Sequence, residues 1–151
     1  MKNTIVIFYS RTGASRLVAE ALAQKLGCRT AEVFYPGRGK VGYWEAFKQA
    51  MFKRACDFEC DIKARDLSGS GRVIFVFPIW VFTLCAPIRN FMRMHKTHIG
   101  NYELIATAGG SGLRTCAKAS AEILGAAPQH AVMLRDADIR AGKINLPEWV
   151  R

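Results

Sequence analysis

With 151 residues, half of them hydrophobic and 23% charged, the chain can bury a core of its own and is not composed like a disordered segment. Lysine and arginine outnumber aspartate and glutamate by 22 to 12, a formal net charge of +10 that favours anionic partners. No apolar run reaches the roughly 18 residues of a membrane span, and no small-residue cleavage site follows the first apolar stretch. A single cytoplasmic domain over residues 1–151 is therefore expected.

The first element is an apolar strand, Ile5 to Tyr9, followed by a loop of hydroxyls and glycine, Ser10-Arg11-Thr12-Gly13-Ala14-Ser15. A helix starts near Ser15, with Leu17, Val18, Ala21, Leu22 and Leu26 on one face and Gly27 as its stop. Thr30 to Phe34 reads as a short second strand, and Pro36 to Gly42 as a loop. Tyr43 to Ala55 has helical spacing, its stripe of Trp44, Phe47, Met51 and Phe52 being core-like. Val73 to Phe77 is a continuous apolar run suited to a strand covered on both faces. The loop Pro78 to Thr83 and a helix from about Pro87 follow. Glu103 to Ala108 is a fourth strand, opening into Gly109-Gly110-Ser111-Gly112. The next helix carries Leu113, Ala117, Ala121 and Leu124, and His130 to Leu134 is a fifth strand. The tail has room for a turn or two of helix, with Trp149 docking on the core.

Strands alternating with helices imply an α/β three-layer sandwich, a five-stranded parallel sheet with helices on both faces. In the order 2-1-3-4-5 the loops after strands one, three and four converge at the carboxyl edge, where such folds bind ligands. The first loop suits a terminal phosphomonoester, with hydroxyls on Ser10, Thr12 and Ser15, close backbone approach at Gly13, and positive charge on Arg11 and Arg16. It is equally compatible with a plain strand–helix turn, and its spacing is wrong for dinucleotide and ATP fingerprints. Trp80 and Phe82 stand at the end of a buried strand, Trp80 being the expected platform for a planar ring. The AGGSG loop offers backbone amides to the polar edge of a heterocycle.

Other chemistries find little support. Five cysteines, Cys28, Cys56, Cys60, Cys85 and Cys116, are scattered and odd in number, which argues for free thiols. Cys56 and Cys60 lack a second pair at ligand spacing, so no metal site is expected. His95, His98 and His130 are too isolated for a metal or a hydrolytic triad. No cysteine has an arginine six residues on, as a C-x5-R phosphatase loop requires.

Three motifs in order resemble the flavodoxins and flavodoxin-like FMN proteins. IVIFYSRTGASRLVAEALAQKLG is similar to their first strand, [S/T]-x-T-G-x-[S/T] phosphate loop and first helix; VFPIWVFTLCAPIRNFM resembles the P-x-W…P-x-R-x-F pattern after strand three; IATAGGSG resembles the third FMN loop. The resemblance implies an FMN phosphate held by Ser10, Arg11, Thr12, Gly13, Ala14 and Ser15. It implies an isoalloxazine near Pro78, Ile79, Trp80, Val81 and Phe82, and near Ala108, Gly109, Gly110 and Ser111. The flavin ring would carry the redox chemistry, with no dedicated protein acid or base. Two features depart from the electron-carrier flavodoxins, which are typically acidic and often cover the outer flavin face with an aromatic from the third loop. The expected function is electron transfer with an acidic redox protein as partner. The alternatives are an FMN-dependent NAD(P)H oxidoreductase acting on a quinone or similar acceptor, and a non-flavin module binding a polyanion. Nucleic acid is disfavoured by the weak aromatic interleaving of the basic stretch Arg89 to His98.

Overall fold

In the computed structural model residues 3–34 and 59–151 are described. The first strand, β1 (Thr4–Phe8), lies in the sheet interior, so every residue from Ile5 to Phe8 is buried. It leads into α1 (Ala14–Leu26), which closes on Gly27 in the left-handed region, and then into β2 (Arg29–Glu32). A short helix α2 (Ala64–Ser68) precedes the long central strand β3 (Arg72–Trp80) and a two-residue strand β4 (Thr83–Leu84). The chain continues through α3 (Ala86–His95), β5 (Tyr102–Ala108), α4 (Leu113–Leu124), β6 (Ala131–Arg135) and α5 (Asp136–Arg140). The expected helix at Tyr43–Ala55, the Pro36–Gly42 loop and Cys56 lie outside the described residues. Among the described residues no helix is long and apolar enough to cross a membrane.

The sheet order is β2-β1-β3-β5-β6, all parallel, with β4 paired antiparallel to β3 off that path. Leaving out that small hairpin, this is the expected 2-1-3-4-5 order. The period-2 alternation of a strand sorts the apolar runs onto two faces. Ile5, Ile7, Val73, Phe75, Phe77, Leu104 and Ala106 pack with Leu67 of α2, Ile88, Phe91 and Met92 of α3, and Cys116 of α4. The alternate residues Val6, Phe8, Ile74, Val76 and Ile105 pack with Ala14, Val18, Ala19 and Leu22 of α1, Ile139 of α5 and Val150. The three layers follow from two-faced burial, each large apolar side chain contributing about 1.5–3 kcal/mol. Burial also pushes the Cys116 thiol up to about 12, so it packs as an apolar residue and is no nucleophile.

Two helix faces differ from the expectation. Leu17 is 45% exposed, and the buried stripe of α1 is Ala14, Ser15, Val18, Ala19 and Leu22. The stripe is rotated because Ser15 can enter the interior with its hydroxyl satisfied, 2.9 Å from that of Thr107 on β5. In α4 the buried positions are Cys116 and Ser120, with Leu113, Ala117 and Leu124 only partly covered.

The amino-terminal edge of the sheet is closed by a charged cluster. Glu103, 3% exposed, accepts from Arg72 Nε at 2.8 Å and lies 3.2 Å from His130 Nδ1. Arg72 also donates to the carbonyls of Trp149 and Arg151, and His130 stacks on Trp149 with ring centres 5.0 Å apart. The tail is thereby tied to the sheet through Trp149, as expected, although by a buried carboxylate that no local pattern announced.

Candidate functional site at the carboxyl edge

The parallel registers bring three chain segments to one edge. Phe8 pairs with Val76 and Pro78 with Thr107, so the ends of β1, β3 and β5 lie side by side. Direct contacts then tie the segments together. Tyr9, the residue before the first loop, meets Trp80 edge-on with ring centres 5.5 Å apart. Ser15 at the start of α1 meets Thr107 at the end of β5. Gly112 lies so close to the tip of the hairpin that a Cβ there would stand 2.9 Å from Phe82 Cα.

In the first loop, Gly13 caps α1 with φ +103, a conformation that favours glycine. Ser10 Oγ accepts from the Gly13 N–H at 3.1 Å. The first intrahelical acceptor is Gly13 O, taken by Leu17 N, so the N–H groups of Ala14, Ser15 and Arg16 have no partner inside the helix. Such N–H groups, together with the helix dipole, are the chemistry an anion favours. Thr12 is exposed, and Ser10, Arg11 and Gly13 are half-buried. Ala14 and Ser15 are buried, and since the Ser15 hydroxyl is held by Thr107, Ser15 offers an anion its backbone N–H. Arg16, expected to add charge to the loop, instead pairs with Glu32 at 2.6 Å and lies over the Phe8 ring. It draws β2 onto α1 and leaves Arg11 as the loop's free cation among the described residues.

The segment Pro78–Thr83 is not the open loop anticipated. Strand β3 runs on through Pro78, Ile79 and Trp80, and turns back into β4, with Ile79 opposite Leu84 and Trp80 opposite Thr83. Val81 (φ 47) and Phe82 (φ 61) form the two-residue tip, both at positive φ as in a type I′ turn. Neither residue type favours that region, and valine is there an outlier. At this tip Phe82 is 66% exposed. Val81→Gly is expected to stabilise the chain by about 1 kcal/mol, since glycine occupies positive φ without strain. Urea unfolding reads the effect; a lowered midpoint would mean that packing by the Val81 side chain outweighs the strain.

Trp80, anticipated as the ring platform, is 5% exposed and packs against Tyr9. The exposed aromatic is Phe82. The two residues would share a side on an extended loop, and the tight turn between them sends them to different environments. Trp80 keeps one polar function, an Nε1–H that is buried with no acceptor among the described residues. A buried donor without a partner costs about 1–3 kcal/mol, which makes it a candidate contact for an acceptor the protein does not itself supply. In the third segment Ala108 is buried, while Gly109, Gly110 and Ser111 are exposed and present backbone at the edge. Tyr9 and Thr107 complete the junction without having been singled out from the sequence, as does the close approach of Gly112 to the hairpin. Gly112 was within reach, as the last glycine of AGGSG before a helix; the other two act through contacts across the sheet.

Neither a family model nor a curated protein sequence matches the chain. Among solved structures it is similar to the flavoprotein in complex with FMN from Lactobacillus acidophilus NCFM, at TM-score 0.76 and 17% identity, over 93% of this chain and 98% of that one. It is also similar to the flavodoxin, WrbA-like protein from Agrobacterium tumefaciens, at TM-score 0.60 and 12% identity, over 95% and 91% of the two chains. The NAD(P)H:quinone oxidoreductase from Methanothermobacter marburgensis aligns at TM-score 0.53 and 12% identity, over 95% and 94%. The chain therefore has a flavodoxin-like fold.

Proposed function

We propose that this chain binds FMN at the carboxyl edge of its sheet and acts in electron transfer. The observation that carries the proposal is the meeting of an open helix N-terminus, a strained hairpin and a flat glycine loop at one edge. The Lactobacillus neighbour, described with FMN, supports the same choice of ligand. The residues fit the group. Thr12, Ser10 and the first N–H groups of α1 suit its phosphate, and the unpaired Trp80 Nε1–H beside Tyr9 is a further donor. Gly109, Gly110 and Ser111 leave backbone free for the polar edge of the ring, and the hairpin tip that carries Phe82 borders the same place. Bound FMN would supply the redox centre, with the protein fixing its position and surroundings.

Titration of the purified chain with FMN, followed by visible absorbance, tests the proposal. Thr12→Leu and Trp80→Phe are each expected to weaken FMN about tenfold or more, the equivalent of one hydrogen bond to a charged group, and riboflavin less than twofold. Equal losses for both ligands would show that these groups do not hold the phosphate; no binding by the folded parent chain would overturn the proposal. Mixing the loaded protein with NADPH in a stopped-flow instrument divides electron carrier from oxidoreductase. The carrier is favoured because the sequence has no second nucleotide-binding motif. Fast direct reduction would reverse that choice.

A further inference from the structure

We propose that Phe82, Arg114 and Lys118 form a docking surface for an acidic electron-transfer protein; the inference rests on the FMN reading above for its redox role. Phe82 is the apolar centre, its ring pushed into solvent by the two-residue tip. Gly112, in contact with that tip, is the N-cap of α4, so Arg114 begins two residues away from the Phe82 contact. Lys118 follows one turn later, and both cations are exposed on the side opposite the buried Cys116 and Ser120. Among the described residues neither of these two cations has an ion-pair partner, whereas Arg16, Arg29 and Arg72 do.

The placement also opposes local helix electrostatics. The first turn of α4 contains no acidic residue and carries Arg114, at the end where the dipole disfavours a cation. Glu122, which continues the stripe, lies a turn further from the edge. Arg114 and Lys118 thus add positive charge beside the exposed aromatic, at the edge proposed for the flavin. An apolar anchor with unpaired cations beside it is the form of a surface that steers an oppositely charged partner. A negatively charged protein bearing a one-electron centre fits it.

A strongly acidic [2Fe–2S] ferredoxin, chemically reduced, is a suitable probe for the FMN-loaded chain. Each encounter oxidises one ferredoxin cluster by one electron; two encounters and two protons from water convert bound FMN to FMNH2. The pair Arg114→Glu with Lys118→Glu is compared with Arg93→Glu with Lys96→Glu, an equal charge change on exposed residues at the other end of the molecule, where α3 finishes. The first pair is expected to lower the second-order rate about tenfold or more and to flatten its salt dependence, the second to change it less than twofold. FMN affinity should be the same in both. Equal losses in the two pairs, or a parent rate insensitive to salt, would overturn the surface. Calorimetric titration with oxidised ferredoxin needs no flavin. Binding that the first pair alone abolishes would uphold the docking surface even if FMN failed to bind, and absence of binding by the parent chain would overturn it.

Discussion

Replacing Glu103 with alanine is expected to destabilise the protein by about 3–5 kcal/mol, the cost of leaving the partner of a buried ion pair uncompensated. That is a large part of the roughly 5–15 kcal/mol that holds a domain of this kind together. Glu103 is 3% exposed, and the Arg72 side chain 17%, so water can replace little of the lost carboxylate. The loss should spread, because Arg72 also anchors the Trp149 and Arg151 carbonyls and lies over the Trp149 ring at 5.8 Å. In urea the midpoint should fall. Replacing both partners by apolar residues, Glu103→Met with Arg72→Leu, should recover much of the stability, as apolar substitutes for buried pairs commonly do. A Glu103→Ala loss under about 1 kcal/mol would mean that the cluster is wetter than its burial indicates. Arg16→Ala makes the contrast: its pair with Glu32 is 49% and 24% exposed, and the expected change is within about 1 kcal/mol.

Gly112→Ala should cost about 3 kcal/mol through two separate effects. The added Cβ would stand 2.8 Å from Ile79 Cγ2 and 2.9 Å from Phe82 Cα, and the second of these is backbone that cannot rotate away. The backbone at φ +117 is moreover a conformation that an L side chain rarely adopts. Relief requires the glycine loop and the hairpin to separate, so FMN affinity should fall with stability. Gly110→Ala is the control. Nothing lies within 4 Å of its new Cβ and its φ is not positive, so stability should stay within about 0.5 kcal/mol. Equal effects at the two glycines, read by thermal unfolding, would show that the close approach at Gly112 does not constrain the fold.

Legibility varied with how local the cause was. β1, β3 and β5 were visible because their continuous apolar runs must be buried on both faces, and Ile5–Phe8, Val73–Phe77 and Leu104–Ala106 are. The hairpin was not. Pro78 reads as a break in a strand, and Val81-Phe82 lacks the glycine or asparagine that marks a type I′ turn. The turn forms because Ile79 and Trp80 gain partners in Leu84 and Thr83, a benefit registered only once β3 is in place. The rotation of α1 has a similar origin, since no apolar pattern would bury Ser15 without the Thr107 hydroxyl opposite it.

By itself the sequence determined the parallel α/β class and a hydroxyl-rich glycine loop leading into a helix. These follow from side-chain period, glycine placement and hydroxyl content within a few residues of one another. Only the tertiary structure decided the strand order, that Trp80 is buried with a donor unpaired among the described residues while Phe82 is exposed, that Arg16 is spent on Glu32, and that Glu103, Arg72 and His130 form one cluster. Those outcomes depend on which strand end lies beside which, with partners 16 to 31 residues apart or across a turn of two residues. Their energies come from contacts made only when the sheet closes.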